Sequence, residues 1–248
     1  GNAAHEIKQA SAAELIAPLR MIKDADEVDA MRRAVALSEA ALTRALGEIR
    51  AGMTERQVAG MLMGHLLAAG AQTLPFEPLV QAGPSSANPH GTPGDRPLRR
   101  GDVVVIDFGL TIADYSSDIT RTIAIGELDE EMRAVYDVVK AANAAGRAAA
   151  KPGATGEDVD RAARGVIEAA GYGQYFIHRT GHGLGLEGHE PPYMVAGDTT
   201  ILRPGMTFTV EPGIYIPGKG GVRIEDDVLI TEDGSQSLTT FTRDLIVV

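Results

Sequence analysis

The pattern Gly52-x-Thr54-x-x-x-Val58 recurs as Gly153-x-Thr155-x-x-x-Val159, and Ala68-Ala69-Gly70 recurs as Ala169-Ala170-Gly171, each pair 101 residues apart. Further along, Leu98-Arg99-x-Gly101 matches Leu202-Arg203-x-Gly205, and Asp107-x-Gly109 matches Glu211-x-Gly213, now 104 residues apart. Chance produces any one of these matches; an ordered series of them implies two similar structural units. Each unit reads as helix followed by strand. The expected fold is therefore α+β, a pseudo-two-fold repeat with a central curved antiparallel sheet and helices outside. Each half then ends a strand on a carboxylate, Asp107 or Glu211.

Local signals place the elements. A helix is expected from Asp24, with Asp24, Asp26 and Glu27 at its positive N-terminal end, and another between Thr54 and Gly70, opened by the capping-box pattern Thr54-Glu55-Arg56-Gln57. Two more span 129–150 and 155–170, each ended by glycine. A short helix from Ser11 to Leu19 is also expected. Residues 72–100 read as strand and loop around Asn88-Pro89-His90-Gly91. Strands are expected at 103–106, 119–125, 175–180, 207–211, 214–217, 222–231 and 242–248. No composition shift marks an internal linker, so one domain is expected over 23–248. Residues 1–22 are expected to be a linker or the end of an N-terminal domain, since a chain opening on Gly1 reads as a fragment. His65 maps onto Val166 in the repeat and is expected to pack rather than to ligate.

Val103-Val104-Val105-Ile106 is an unbroken β-branched run of the kind buried on both faces of a sheet. It ends in Asp107, and Asp118 opens the next such run. Two carboxylates on adjacent buried strands repel each other unless they share a proton, pair with bases or hold a cation. His182 lies between two glycines, Glu211 follows Phe208-Thr209-Val210, and Glu225 lies in Val222-Arg223-Ile224-Glu225. Arg223 is expected to orient Glu225 from the same strand face. Four carboxylates carry the charge that two divalent cations neutralise. Oxygen-rich ligation with a single imidazole suits manganese, with cobalt as an alternative.

The rest of the composition narrows the field. With 34 acidic against 23 basic residues, the net charge of −11 argues against nucleic acid or an anionic membrane as partner. There is no cysteine, which excludes disulfides, zinc–thiolate sites and thiol catalysis. No signal peptide opens the chain, and the cytoplasm is the expected compartment. Gly183-Leu184-Gly185-Leu186-Glu187-Gly188 fits a dinucleotide fingerprint in letters, but Pro191-Pro192 follows where a helix would have to run. Asp107-Phe108-Gly109 has no partner motif of a kinase.

The ordered set Asn88-Pro89-His90, Val105-Ile106-Asp107-Phe108-Gly109, Tyr115-Ser116-Ser117-Asp118-Ile119-Thr120-Arg121-Thr122, His178-Arg179-Thr180-Gly181-His182-Gly183, His189-Glu190-x-Pro192, Glu211-Pro212-Gly213 and Arg223-Ile224-Glu225-Asp226 resembles the pita-bread metallopeptidases. Within them it resembles the Xaa-Pro branch, prolidase and aminopeptidase P. The resemblance implies a dinuclear site, most often of Mn2+, with Co2+ or Zn2+ as alternatives. It implies Asp107 on one ion, His182 and Glu211 mainly on the other, and Asp118 and Glu225 on both. It further implies hydrolysis of the bond before proline by a hydroxide bridging the ions, with Glu211 moving the proton. His90, His178 and His189, with Arg223, match substrate-side positions, and His189 and His90 are expected to assist the chemistry. The expected substrates are small peptides with proline second. A homodimer needing the N-terminal domain is expected too. Methionine aminopeptidase, a metal-free hydrolase and a non-catalytic binding module on the same fold are the competing readings.

Overall fold

Four helix starts are set locally. Asp24 with Glu27, Thr54 with Gln57, and Thr155 with Asp158 form reciprocal capping boxes, and Asp129 accepts from the Met132 N–H at 2.7 Å. Each such cap stabilises its helix by about 1 kcal/mol. The computed structural model describes residues 12–248. The helix expected from Ser11 is seen as α1 (Ala13–Met21), and residues 1–11 of the expected linker lie outside the described residues.

The first half continues through α2 (Ala25–Glu48), α3 (Glu55–Ala68), β1 (Leu79–Ala82), β2 (Val103–Phe108), the short β3 (Thr111–Ile112) and β4 (Tyr115–Ser116), and β5 (Ile119–Ala124). The second half holds α4 (Glu130–Ala149), α5 (Gly156–Ala169), β6 (Gly181–Gly183), β7 (Glu190–Met194), β8 (Thr207–Val210) and β9 (Gly213–Ile216). It ends with β10 (Gly220–Arg223), β11 (Asp226–Ile230), β12 (Ser235–Ser237) and β13 (Ile246–Val247). Among the described residues, no helix is long and apolar enough to cross a membrane.

The repeat read from the sequence has a physical counterpart. Gly52 N–H donates to the Leu98 carbonyl (2.8 Å), as Gly153 N–H does to Leu202 (3.0 Å). Thr54 bridges Pro97 as Thr155 bridges Ile201. Gly101 N–H donates to Ile125 and Gly205 N–H to Ile230. These four glycines hold φ of 92°, 85°, 89° and 87°, a region that residues with a Cβ rarely adopt. The last pair fixes an offset of 105, which places Thr120 of the first half at the position of Glu225 in the second.

The strands form a four-stranded sheet in the order β1-β2-β5-β13 and a five-stranded sheet in the order β12-β11-β8-β6-β7, with β9–β10 and β3–β4 as separate pairs. The β2–β5 pair is antiparallel with Asp107 opposite Thr120, and β8–β11 is antiparallel with Val210 opposite Asp226. The four-stranded sheet meets the crossing between β10 and β11 where Glu225 N–H donates to the Thr120 carbonyl (3.1 Å) and Arg223 N–H to Thr122 Oγ1 (3.0 Å). Helices α2 and α3 cover the first sheet through Met31, Leu42, Leu62 and Leu66, which meet Val104, Ile106 and Ile123. Helix α4 approaches the second sheet so closely that a Cβ on Gly146 would lie 2.8 Å from Val210 Cγ1.

Two expected strands are shortened and one is replaced by turn and loop, each for a visible reason. The run 222–231 breaks at Ile224 and Glu225, because there the chain leaves its β9 partner, crosses to Thr120 and takes up β8. Residues 175–180 are a 3₁₀ turn (Gly173–Tyr175) and loop, since ladder pairing begins only at Gly181. The last strand is reduced to Ile246–Val247, because the Phe241 and Thr242 carbonyls accept from the buried Arg121 guanidinium.

Candidate metal centre and substrate cavity

The fold turns the strands that carry the expected site residues toward one cavity of about 710 Å³. All nine expected site residues line it: Asp107, Asp118, His182, Glu211 and Glu225, with His90, His178, His189 and Arg223. Asp107 comes from β2, Asp118 from the residue before β5, His182 from β6 and Glu211 from the residue after β8. Glu225 sits at the crossing between β10 and β11.

His182 fixes the character of the site. Its Nδ1 lies 3.1 Å from the Gly183 carbonyl, which can only accept, so Nδ1 carries the proton. Burial, with the neighbouring His189 adding to it, pushes the imidazole down to about 3, so the ring is neutral. Its Nε2 lone pair therefore faces Glu211 Oε1 at 3.4 Å and Asp118 Oδ2 at 3.7 Å. Lone pairs of three acceptors at that spacing repel unless a proton or a cation lies among them.

The carboxylates give the same answer. Burial, then Glu225 and Asp107, pushes Asp118 well above the usual range. Burial, then Glu211 and Asp107, does so for Glu225, although it accepts from Thr120 Oγ1 at 2.6 Å. Burial pushes Glu211 up to about 7 against the opposing pull of Arg223. Asp107 Oδ1 is buried with no hydrogen-bond partner among the described residues. Asp118, His182 and Glu225 each present one ligand atom within 4.8 Å of the others. Hard oxygen donors with one neutral imidazole fit divalent cations.

Arg223 behaves differently from the expectation. Its Nη2 donates to Asp107 Oδ2 (2.6 Å), while its Nε reaches Glu225 only through the Thr120 hydroxyl (3.0 Å). Its Nη1 donates to Tyr215 Oη at 2.9 Å. His178 is also committed inside the protein. Its Nδ1 donates to the Arg179 carbonyl (2.7 Å), leaving Nε2 to accept from the Tyr215 hydroxyl (2.8 Å). A His178–Tyr215–Arg223–Asp107 chain thus holds the β2 carboxylate from behind. His189 stacks on His182 with ring centroids 3.9 Å apart, and burial followed by Arg179 lowers it below the ordinary histidine value. His90 is exposed at the rim, 6.5 Å from His178 between ring centroids.

Several working residues escaped the sequence reading. Thr120, Tyr215 and Asp227 each hold a site residue, Asp227 by accepting from the Asp118 N–H at 3.2 Å. Tyr215 lies in the run after Glu211-Pro212-Gly213, and that proximity was the only available signal. Arg179 lines the cavity, stacks over Tyr193 at 4.9 Å, and makes no ion pair among the described residues.

Residues 29–232 match the profile of metallopeptidase family M24. The Xaa-Pro dipeptidase of Pyrococcus furiosus is 45% identical over 94% of this chain and 67% of its own length. The X-Pro aminopeptidase of Thermotoga maritima superposes with a TM-score of 0.93 at 42% identity, covering 95% of this chain and 67% of that one. The Xaa-Pro dipeptidase of Bacillus anthracis gives 0.94 at 41% identity, covering 96% and 67%. The chain spans 63% to 67% of the length of the curated relatives it matches.

Proposed function

Because this chain belongs to metallopeptidase family M24, we propose that it is a metal-dependent exopeptidase that hydrolyses the bond between an N-terminal residue and a following proline in small peptides. The observation that carries this reading is the neutral His182, whose lone pair faces two carboxylates inside a cavity lined by all four candidate ligand carboxylates. Asp107, Asp118, His182, Glu211 and Glu225 would hold two divalent cations, with Mn2+ favoured by the oxygen-rich donor set. When bound, the ions supply a nucleophilic water at neutral pH and positive charge for the developing oxyanion.

The protein groups then divide the remaining work. Glu211, whose Oε1 lies 3.4 Å from His182 Nε2 on the cavity wall, is suited to accept a proton on its carboxylate from the attacking water and pass it to the prolyl nitrogen as the bond breaks. His189, neutral and stacked on His182, is placed to donate a hydrogen bond to the scissile carbonyl oxygen. His90 closes the rim against the substrate's far side. The prolyl nitrogen carries no N–H, so recognition must come from the ring, the free amine and the far carboxylate. Phe76, Pro75 and Pro93 offer the ring an apolar wall, and Arg179 offers the carboxylate a free guanidinium.

The test is metal content together with turnover of Ala-Pro, Ala-Pro-Ala and Met-Ala-Ala in the presence of Mn2+. Cleavage of Ala-Pro that chelation abolishes is the expected result. Turnover of Met-Ala-Ala alone would move the chain to a methionine-removing activity, and turnover of none would refute the peptidase reading.

A further inference from the structure

Glu190 takes no part in the chemistry above, yet it is among the most thoroughly enclosed acids in the molecule. Its side chain is 4% exposed and both oxygens are occupied, Oε1 by Lys23 Nζ at 2.5 Å and Oε2 by Arg20 Nη2 at 2.9 Å. Lys23 itself is 1% exposed and has no other side-chain acceptor among the described residues, while the second Arg20 nitrogen pairs with Glu187 at 2.9 Å. Both cations come from the short stretch that ends α1 and precedes α2. That stretch is tied down independently of Glu190: Lys23 N–H donates to the Gly205 carbonyl (2.8 Å), and Ile22 bridges Met206. The close approach demands glycine on the facing chain. A Cβ on Gly185 would lie 2.7 Å from Lys23 Cε, and one on Gly205 2.8 Å from Ile22 Cγ2.

We infer that Arg20 and Lys23 are positioning residues for His189, acting through Glu190. The inference rests on the peptidase reading above. Glu190 follows His189 directly and pairs with Gly183 at the irregularity in the β6–β7 ladder, where strand pairing alone holds the chain poorly. Fixing the Glu190 carboxylate from two directions fixes the backbone on which the His189 ring stacks over His182. A buried ion pair is an inefficient way to gain stability, because apolar groups of the same volume serve as well. Its directionality suits it to setting an orientation. The stretch before α2 is thereby wired to the substrate side of the cavity, and displacing it displaces His189.

The test is a double-mutant cycle on Ala-Pro with Mn2+, measured well below each variant's melting temperature. Lys23→Met is expected to lower kcat by about 10- to 100-fold with KM little changed, the scale of a displaced catalytic group. In a His189→Ala background the same substitution is expected to cost nothing further. Equal losses in both backgrounds would overturn the inference. Arg20→Gln, at a partly exposed position, is expected to act in the same direction with a smaller effect, and covers the case in which Lys23→Met does not fold. Amide hydrogen exchange gives a readout without turnover: loss of the clamp is expected to speed exchange across 184–192 and leave α4 and α5 unchanged. Unchanged exchange across 184–192 would overturn the inference even if the protein cleaved none of the peptides, an outcome that by itself sinks only the peptidase reading.

Discussion

Glu225 and Asp226 are consecutive, both fully enclosed, and neutralised in opposite ways. Asp226 is met by protein cations: Arg121 Nη2 at 2.8 Å, Arg243 Nε at 2.7 Å and Arg147 Nε at 3.4 Å. Burial raises its carboxyl, but Arg121 and Arg243 outweigh it and hold the group below the usual range. Glu225 faces the other way, into a cavity where the four candidate ligand carboxylates meet two arginines, Arg179 and Arg223, the second already paired with Asp107. Burial and its neighbours push it well above that range. The first cluster is complete within the chain. The second has a charge deficit that fits ions from outside, and that asymmetry separates a structural centre from a reactive one.

Removing metal should break the second cluster and leave the first untouched. Chelation is expected to abolish peptide turnover and lower thermal stability, with Mn2+ restoring both. The metal-free protein should also show an inverted pH dependence. Glu211 has its folded value raised from 4.5 to about 7, so its contribution is complete below about pH 4.5 and is lost as pH rises toward 7. Melting temperatures of the chelated protein that climb over that window would contradict the assignment. In the intact arginine cluster the sign is reversed, since Asp226 is held low and its contribution is lost as pH falls.

Arg121→Met sharpens the contrast from the other side. It strips Asp226 of a buried partner and leaves the Glu225 carbonyl without its side-chain donor. A loss of about 3–5 kcal/mol in urea unfolding is expected, with metal bound per folded chain unchanged. Asp118→Asn should do the opposite. Metal content is expected to fall sharply, while the metal-free protein gains about 1 kcal/mol from the removal of one like charge. A destabilised metal-free Asp118→Asn protein would mean that the carboxylates are compensated within the chain after all. The smallest effect belongs to the repeat. His65 stands where Val166 stands in the second half, and pairs with Glu48 at 3.0 Å on a partly exposed surface. His65→Val is expected to change stability by less than about 1 kcal/mol.

The halves themselves explain which calculations a reader of the sequence can make. Capping boxes, turn glycines and β-branched runs act over a few residues, so Thr54, Thr155, Gly101 and Gly205 announced the same local structure twice. The candidate carboxylate ligands were legible too, because an acid ending an apolar strand is costly wherever that strand is buried. Asp107 and Glu211 needed no partner to look unusual. Tertiary structure decided who answers whom. Arg223 shares a strand face with Glu225, yet its guanidinium crosses the sheet junction to Asp107, a residue 116 positions away. His178 carries the same side chain as His90 and His189, but its two nitrogens are consumed by the Arg179 carbonyl and Tyr215. Three adjacent acids, Glu225, Asp226 and Asp227, are identical in local pattern and reach a reactive cavity, an arginine cluster and the Asp118 amide. Composition and periodicity report the energy of burying a group, which is a property of that group and its neighbours in the chain. The compensation of its charge depends on atoms brought from a hundred residues away, and only the closed fold specifies them.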